Sequence, residues 1–201
     1  MDRIRKRWLP YIDGLEARET AEITLLVVHC TELPDLATAR QFAERIHYPK
    51  SGTGNAGHFY IDRDGAVTQY VPLDRVAHHV VGLNRHSIGV ELVNLGRYPN
   101  WLHSQQQKMN EPYPRPQVDA LAALIRWLED EVPTLKQIAG HEDLDRRLVS
   151  ASDQPQRQVH RKRDPGPLFP WLELLSAIGL QRLNPDDTGD EAATPETETR
   201  L

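Results

Sequence analysis

Three short apolar runs predict buried β-strands, and each carries a polar side chain near its end. Residues 23–30, ITLLVVHC, form a continuous apolar run that is typical of a strand covered on both faces. Residues 87–94, SIGVELVN, alternate so that aliphatic side chains share one face while Glu91 lies on the other. Residues 135–141, LKQIAGH, resemble a short strand that leads to a histidine. The strands therefore place ionisable groups near their carboxyl ends.

Other sequence patterns predict a hairpin, a loop and three helices. Residues 58–71 contain two alternating segments joined by Asp64 and Gly65, a pair favoured in tight hairpin turns. Residues 97–116 are polar and contain prolines, which predicts a long surface loop. Apolar residues at helical spacing predict helices over 36–47, 115–132 and 168–180. Strands interleaved with helices indicate an α/β (α+β) fold in which a mixed central β-sheet is flanked by helices.

Length and charge indicate one globular domain with a short extension at each end. The chain has 201 residues and 39% hydrophobic content, enough for one core without disulfides. We expect a lead segment over 1–22, the domain over 23–183 and a disordered acidic tail over 184–201. The tail holds six acidic residues and one arginine, which accounts for the formal net charge of −5. The remaining chain has 23 basic and 23 acidic side chains, so no nucleic-acid partner is expected.

The cysteine count and the apolar runs bear on the cellular compartment. Cys30 is the only cysteine, so an intrachain disulfide is impossible. The basic N-terminal residues 1–20 are not followed by an apolar run of signal-peptide length, and no run is long enough to span a membrane. We therefore expect a cytoplasmic protein with no membrane partner, and we favour a monomer.

Two histidines and one aspartate are the first candidates for chemistry. His29 and His141 lie at the carboxyl ends of separate predicted strands, where open α/β sheets place ligands. Asp164, in KRDPGP, sits in backbone that Pro165 and Pro167 stiffen. Two histidines, a carboxylate and an open position make a catalytic zinc shell. Their spacing matches no local metal motif, and hydrogen-bonded structural histidines beside an Asp-Pro-Gly turn remain an alternative.

Six segments in order resemble the zinc-dependent N-acetylmuramoyl-L-alanine amidases of type 2, in particular the AmpD-like enzymes, whose fold peptidoglycan recognition proteins share. The resemblance covers about residues 23 to 172. The matching segments are LLVVHCTE, GHFYIDRDGAVTQYVP, AHHVVG, SIGVELVN, AGHEDL and KRDPGPLFPW.

The resemblance implies a role for five residues. His29, His141 and Asp164 resemble the zinc ligands of the family. Glu91 resembles its catalytic carboxylate, and Lys162 resembles the cation beside the reacting carbonyl. Without the resemblance, a strand-end salt bridge for Glu91 and one solvated cation in RKR for Lys162 are the favoured interpretations.

Other positions are less specific or depart from the family pattern. Some relatives have a tyrosine just before the hairpin histidine, where this chain has Gly57, which leaves Glu91 as the better candidate for the base. His58, His79 and Asn94 are candidate substrate contacts, although structural hydrogen bonds explain the histidines equally well. Strand alternation turns Cys30 away from the side of His29.

The implied activity is hydrolysis of the amide between the lactyl group of N-acetylmuramic acid and L-alanine, with Zn²⁺ as cofactor and peptidoglycan fragments as partners. The polar stretch from His141 to Asp164 would cross the mouth of the active site. Two alternatives stay open: a non-catalytic peptidoglycan-binding module of the same fold, and a zinc hydrolase that acts on another amide. The choice between soluble 1,6-anhydro-muropeptides and intact murein also stays open, with the lack of a signal peptide favouring the former.

Overall fold

The computed structural model describes residues 4–183, so the predicted acidic tail lies outside the described residues. The strands are β1 (Arg5–Lys6), β2 (Leu25–Cys30), β3 (Phe59–Ile61), β4 (Val67–Gln69), β5 (Ser87–Leu92), β6 (Gln137–Gly140), β7 (Leu148–Ser150), β8 (Gln158–His160) and β9 (Gln181–Arg182). The helices are α1 (Leu36–Ala43), α2 (Arg115–Glu131), α3 (His141–Leu144) and α4 (Trp171–Ser176).

Seven of these strands form one mixed sheet in the order β1-β4-β3-β5-β2-β6-β9. Strand β2 is parallel to both β5 and β6, whereas β3 and β4 form the predicted antiparallel hairpin. The register pairs His29 with Glu91 and Val28 with Gly140, the residue before His141. The carboxyl ends of the three central strands therefore meet at one edge, and the predicted mixed sheet flanked by helices is confirmed.

Helix α2 covers one face of the sheet with an aliphatic stripe. Leu121, Leu124, Ile125 and Leu128 have no exposed surface and share a core with strand side chains that include Ile88, Val90 and Leu92 of β5. A proline in the first turn suits the start of this helix, where a backbone N–H would lack a helical partner. Each fully buried leucine stabilises the fold by about 2 to 3 kcal/mol.

The opposite face of the sheet carries the chemistry, because strand side chains alternate between faces. Glu91 is out of phase with the aliphatic residues of β5 that contact α2, and so are Ser87 and Gly89. His29 is likewise out of phase with Leu26 and Val28 of β2, which belong to the α2 core.

The N-terminal lead segment packs on the domain. Strand β1 pairs in parallel with β4, and the Tyr11 hydroxyl donates a hydrogen bond to the Ala43 carbonyl, with 2.6 Å between the oxygens. Leu9, Tyr11 and Leu15 are buried in a second apolar cluster together with residues of α1 and of the hairpin. This cluster supports the sheet from the side opposite α2.

Several predicted elements differ in extent from the structure. The helix predicted over 36–47 ends at Ala43. The helix predicted over 168–180 covers only Trp171–Ser176. It starts late because Pro170 lacks an N–H and disfavours helical backbone at the residue before it. The prediction of a surface loop over 97–116 was wrong at Arg97 and Met109, which are buried.

The polar stretch between His141 and Asp164 is also more regular than predicted. Strands β7 and β8 form a separate two-stranded antiparallel sheet within it. Within β7 and β8 only Val159 is buried, so the apolar signal of the two strands is weak. Hydrophobic periodicity therefore does not reveal this second hairpin. Among the described residues, no helix is both long and apolar enough to cross a bilayer.

Candidate active site

His29, His141 and Asp164 come together at the carboxyl edge of the central strands. His29 lies near the end of β2, His141 is the first residue of α3 directly after β6, and Asp164 follows β8. The Asp164 Oδ2 atom lies 2.9 Å from His29 Nδ1 and 3.2 Å from His141 Nδ1. All three residues are buried, so three residues distant in sequence share one small site.

The donor set of this cluster fits a zinc ion. One ligand atom from each of the three residues lies within 4.8 Å of the other two. Asp164 Oδ1 and His141 Nε2 are buried without a hydrogen-bond partner among the described residues, which leaves polar capacity available for a ligand. Two imidazoles and one carboxylate are ligands that catalytic zinc takes in proteins, with a position left open for substrate.

The protonation states also suit a cation. Burial, with His141 nearby, lowers the pKa of His29 to about 4, so the ring is neutral and keeps a lone pair at neutral pH. Burial alone would raise the pKa of Asp164, but the adjacent histidines hold it well below its usual range, so the carboxylate is ionised. A neutral imidazole and an ionised carboxylate are the forms that bind metals.

Glu91 stands beside this cluster on the neighbouring strand, opposite His29 in the register. Burial raises the pKa of Glu91 to about 8; the Asp164 carboxylate adds to the rise, and Lys162 opposes it. A side chain at position 57 would crowd this carboxylate, because a Cβ on Gly57 would lie 3.0 Å from Glu91 Cγ. A tyrosine at this position, as in some relatives, would require Glu91 or Gly89 to shift by a few tenths of an ångström, and with Gly57 in place Glu91 remains the acid–base candidate.

The segment that carries Lys162 and Asp164 is fixed to the domain by buried charges. Arg97 forms a two-pronged ion pair with Glu32, at 2.7 Å from Nε to Oε1 and 2.8 Å from Nη2 to Oε2. The same guanidinium donates to the His160 carbonyl, with an N–O distance of 2.9 Å. Arg97 thus ties the loop after β2 to the segment just before Lys162. Sequence reasoning missed this pair, because no local pattern joins positions 65 residues apart.

A cavity of about 380 Å³ lies over these groups. The cavity is lined by the His-His-Asp cluster, Glu91 and Lys162. The structure therefore brings all five predicted catalytic and metal-binding residues to one site. Aromatic side chains also contribute to the wall, namely Phe42, Tyr48, Tyr60 and Trp101. Its size and its mixed lining suit a small polar ligand with an apolar part.

The three predicted substrate contacts fall in different places. His79 lines the cavity, whereas His58 and Asn94 do not. His58 is fully buried, and its Nδ1 accepts a hydrogen bond from the Gly89 N–H at 3.1 Å. Asn94 is buried as well, and its side-chain amide donates to the backbone carbonyl of Glu111. The structure thus gives His58 and Asn94 internal hydrogen bonds and leaves their predicted contact with substrate unsupported.

The mixed sheet, the His-His-Asp cluster, the neighbouring Glu91 carboxyl group and Lys162 together indicate a hydrolase of the amidase class whose cluster could hold a metal ion. The family model described as "Amidase_2: N-acetylmuramoyl-L-alanine amidase" matches residues 19–167. The chain therefore belongs to the N-acetylmuramoyl-L-alanine amidase family, which confirms the resemblance seen in the sequence.

Individual relatives agree with this family. The 1,6-anhydro-N-acetylmuramyl-L-alanine amidase AmpD of Escherichia coli (strain K12) is 31% identical over 199 residues, covering 86% of this chain and 90% of that protein. The E. coli amidase AmiD, in complex with anhydro-N-acetylmuramic acid-L-Ala-D-gamma-Glu-L-Lys, has a similar fold, with a TM-score of 0.58 at 23% identity over 79% of this chain and 58% of that chain. Drosophila PGRP-LB is similar too, with a TM-score of 0.56 at 17% identity over 89% of this chain and 98% of that chain.

Proposed function

We propose that this chain is a zinc-dependent amidase that hydrolyses the bond between the lactyl group of 1,6-anhydro-N-acetylmuramic acid and L-alanine, in cytoplasmic recycling of peptidoglycan fragments. The observation that carries the proposal is the convergence of His29, His141 and Asp164 beside Glu91 and Lys162 in one cavity. The 31% identical relative, named as a 1,6-anhydro-N-acetylmuramyl-L-alanine amidase, supports a soluble anhydro-muropeptide as substrate.

His29, His141 and Asp164 would hold the zinc ion. When bound there, zinc supplies Lewis acidity that polarises an amide carbonyl and lowers the pKa of water towards about 7. His29 is neutral and Asp164 is ionised, which are the forms that bind metals, and all three ligands are buried.

Glu91 would move the proton. As a carboxylate it accepts a proton from the attacking water, and as an acid it delivers that proton to the amine of L-alanine as the amide bond breaks. A bound divalent cation and Lys162 both favour the ionised form, whereas burial favours the protonated form with its pKa of about 8. The pKa of about 8 already includes the effect of Lys162, and a bound cation would lower it further, so both the protonated and the ionised form of Glu91 are accessible for the two steps.

Lys162 would stabilise charge on the carbonyl oxygen. Its ammonium group lies close enough to lower the pKa of both Glu91 and Asp164. As water adds to the amide carbon, negative charge develops on the oxygen, and a cation positioned there is commonly worth about 3 to 4 kcal/mol. The arginine that ties the preceding residues to Glu32 holds this segment in place.

Two measurements on one sample test the proposal. Elemental analysis of protein purified without added zinc is expected to give about one zinc per chain. The same protein is then incubated with a 1,6-anhydro-muropeptide and, separately, with murein sacculi. Faster release of stem peptide from the soluble fragment supports the proposal. Zinc-free protein that binds the fragment without cleaving it would instead indicate the binding module, and faster cleavage of sacculi would overturn the assignment to recycling.

A further inference from the structure

A chain of hydrogen bonds leads from His29 through His79 and Ser87 to the backbone carbonyl of Leu83, in the loop before β5. His29 Nε2 lies 3.0 Å from His79 Nδ1. The other nitrogen of that ring, His79 Nε2, lies 3.1 Å from the Ser87 hydroxyl oxygen. The Ser87 hydroxyl in turn lies 2.8 Å from the Leu83 carbonyl oxygen. Both nitrogens of His79 are therefore engaged within the protein.

The chemistry of the last contact fixes the direction of all the others. A carbonyl oxygen only accepts, so the single hydroxyl proton of Ser87 is donated to Leu83. Ser87 must then accept from His79 Nε2–H. A neutral imidazole that donates at Nε2 accepts at Nδ1, so His79 Nδ1 receives the proton of His29 Nε2–H.

This direction determines which nitrogen His29 offers to a metal. With its proton on Nε2, His29 carries a lone pair on Nδ1, and that atom lies 2.9 Å from the acceptor oxygen Asp164 Oδ2. Two acceptor atoms at this distance repel each other unless a proton or a metal ion lies between them, so the hydrogen bond from His29 to His79 competes with a hydrogen bond from His29 Nδ1 to Asp164. The hydrogen bond to His79 therefore favours the tautomer in which the lone pair of His29 Nδ1 is available to a metal ion.

We propose that His79 is a positioning residue for the metal site: held by Ser87, it accepts the His29 Nε2–H hydrogen bond and so fixes the tautomer and ring orientation in which His29 Nδ1 binds zinc. This inference rests on the zinc site of the proposed function. It assigns His79 a role different from the substrate contact predicted from the sequence. Partners of this kind typically change metal affinity about 10- to 100-fold.

The surroundings of His79 show that its ring is held in place. The backbone N–H groups of His79 and Val80 both donate to Asn84 Oδ1, at 2.9 and 2.8 Å. The ring lies against Gly89, where a Cβ would come within 2.7 Å of the ring atoms. Only glycine at position 89 leaves room for the imidazole between β5 and His29.

Chelator competition on the zinc-loaded full-length chain tests the proposal. His79→Leu removes the acceptor, and we expect the zinc dissociation constant to rise about 10- to 100-fold. His79→Asn keeps an acceptor near the Nδ1 position and is expected to recover part of the affinity. Ser87→Ala removes only the group that orients His79, so its effect should be smaller than that of His79→Leu.

The neighbouring histidine supplies a matched control. His78 also lines the cavity, but its Nδ1 has no hydrogen-bond partner among the described residues. His78→Leu should leave the zinc dissociation constant within about twofold of the wild type, because no hydrogen bond among the described residues joins His78 to a proposed zinc ligand; this is well below the effect expected of a ligand's partner. An equal loss of affinity in His78→Leu and His79→Leu would show a general effect of emptying the cavity and would overturn the proposal.

A spectroscopic measurement on the wild type is independent of variant folding. Nitrogen-15 NMR of the zinc-loaded chain should show His29 and His79 both protonated at Nε2. A proton on Nδ1 of His79, or unchanged zinc affinity in His79→Leu, would overturn the inference while leaving the proposed function intact. A wild-type chain that binds no zinc would overturn the proposed function, and the inference with it.

Discussion

Replacement of Glu91 by glutamine is expected to stabilise the metal-free protein while removing most of its activity. The amide has nearly the size of the carboxyl group and can still form hydrogen bonds, but it cannot accept a proton. Because positioned acid–base groups contribute about 10²- to 10⁴-fold, the hydrolysis rate should fall by that factor. Zinc content should not change, since Glu91 is not one of the three clustered ligands.

The stability effect follows from the pKa of Glu91, which rises from 4.5 to about 8 on folding. A raised carboxyl pKa means that the folded chain binds the proton more tightly than the unfolded chain. Its stabilising effect is complete below about pH 4.5 and is lost as the pH rises through about pH 8. Because proton binding is coupled to folding, the free energy of unfolding falls by up to about 3.5 kcal/mol between about pH 5 and about pH 8. Glu91 retains some contact with solvent in the cavity, so we expect about 2 kcal/mol.

Urea unfolding of chelator-treated wild type and Glu91→Gln at both pH values measures this difference. Near pH 5 the two proteins should have similar stability, whereas near pH 8 the variant should be more stable by about 2 kcal/mol. If Glu91 instead forms a favourable strand-end ion pair, the variant would be less stable near pH 8. That result, or hydrolysis at close to the wild-type rate, would refute the reasoning.

Three further changes test other parts of the site. Asp164→Ala should lower both the zinc content and the hydrolysis rate, because only two of the three proposed ligands remain to bind zinc. Full zinc occupancy in this variant would contradict the ligand assignment. Lys162→Met should keep zinc but slow hydrolysis about 10²- to 10³-fold through loss of oxyanion stabilisation, and an unchanged rate would exclude that role. Arg97→Ala should lower the free energy of unfolding by about 3 to 5 kcal/mol, since it leaves the buried Glu32 carboxylate without a cationic partner and with only the backbone N–H of residue 97. Urea unfolding measures this, and a loss below about 1 kcal/mol would show that Glu32 finds another charged partner.

The elements near the site could be predicted because their signals are local. The apolar run that ends in His29, the alternation around Glu91 and the Asp64-Gly65 turn each depend on neighbouring residues. The parallel register then brings His29 opposite Glu91, as expected for residues near the carboxyl ends of adjacent strands. Residue roles, however, came from the family resemblance and not from spacing, since Asp164 is 135 residues from His29.

Other features depend on tertiary contacts that leave no periodic pattern. The Arg97–Glu32 pair forms between two loops, so a chain segment that looks like a polar surface loop contains a buried arginine. His58 is buried and accepts a hydrogen bond from Gly89, whereas His79 lies 3.0 Å from His29. These contacts join residues from different parts of the chain, so the sequence pattern does not distinguish the two roles.

The most direct test of the central claim is mass spectrometry of the products formed from a purified 1,6-anhydro-muropeptide, with chelator-treated protein before and after zinc is restored. The account predicts no cleavage without zinc. With zinc restored, it predicts two products, free 1,6-anhydro-N-acetylmuramic acid and the intact stem peptide beginning with L-alanine. Equal cleavage in both samples would contradict zinc dependence, and cleavage at a bond within the peptide would contradict the assignment of the scissile amide.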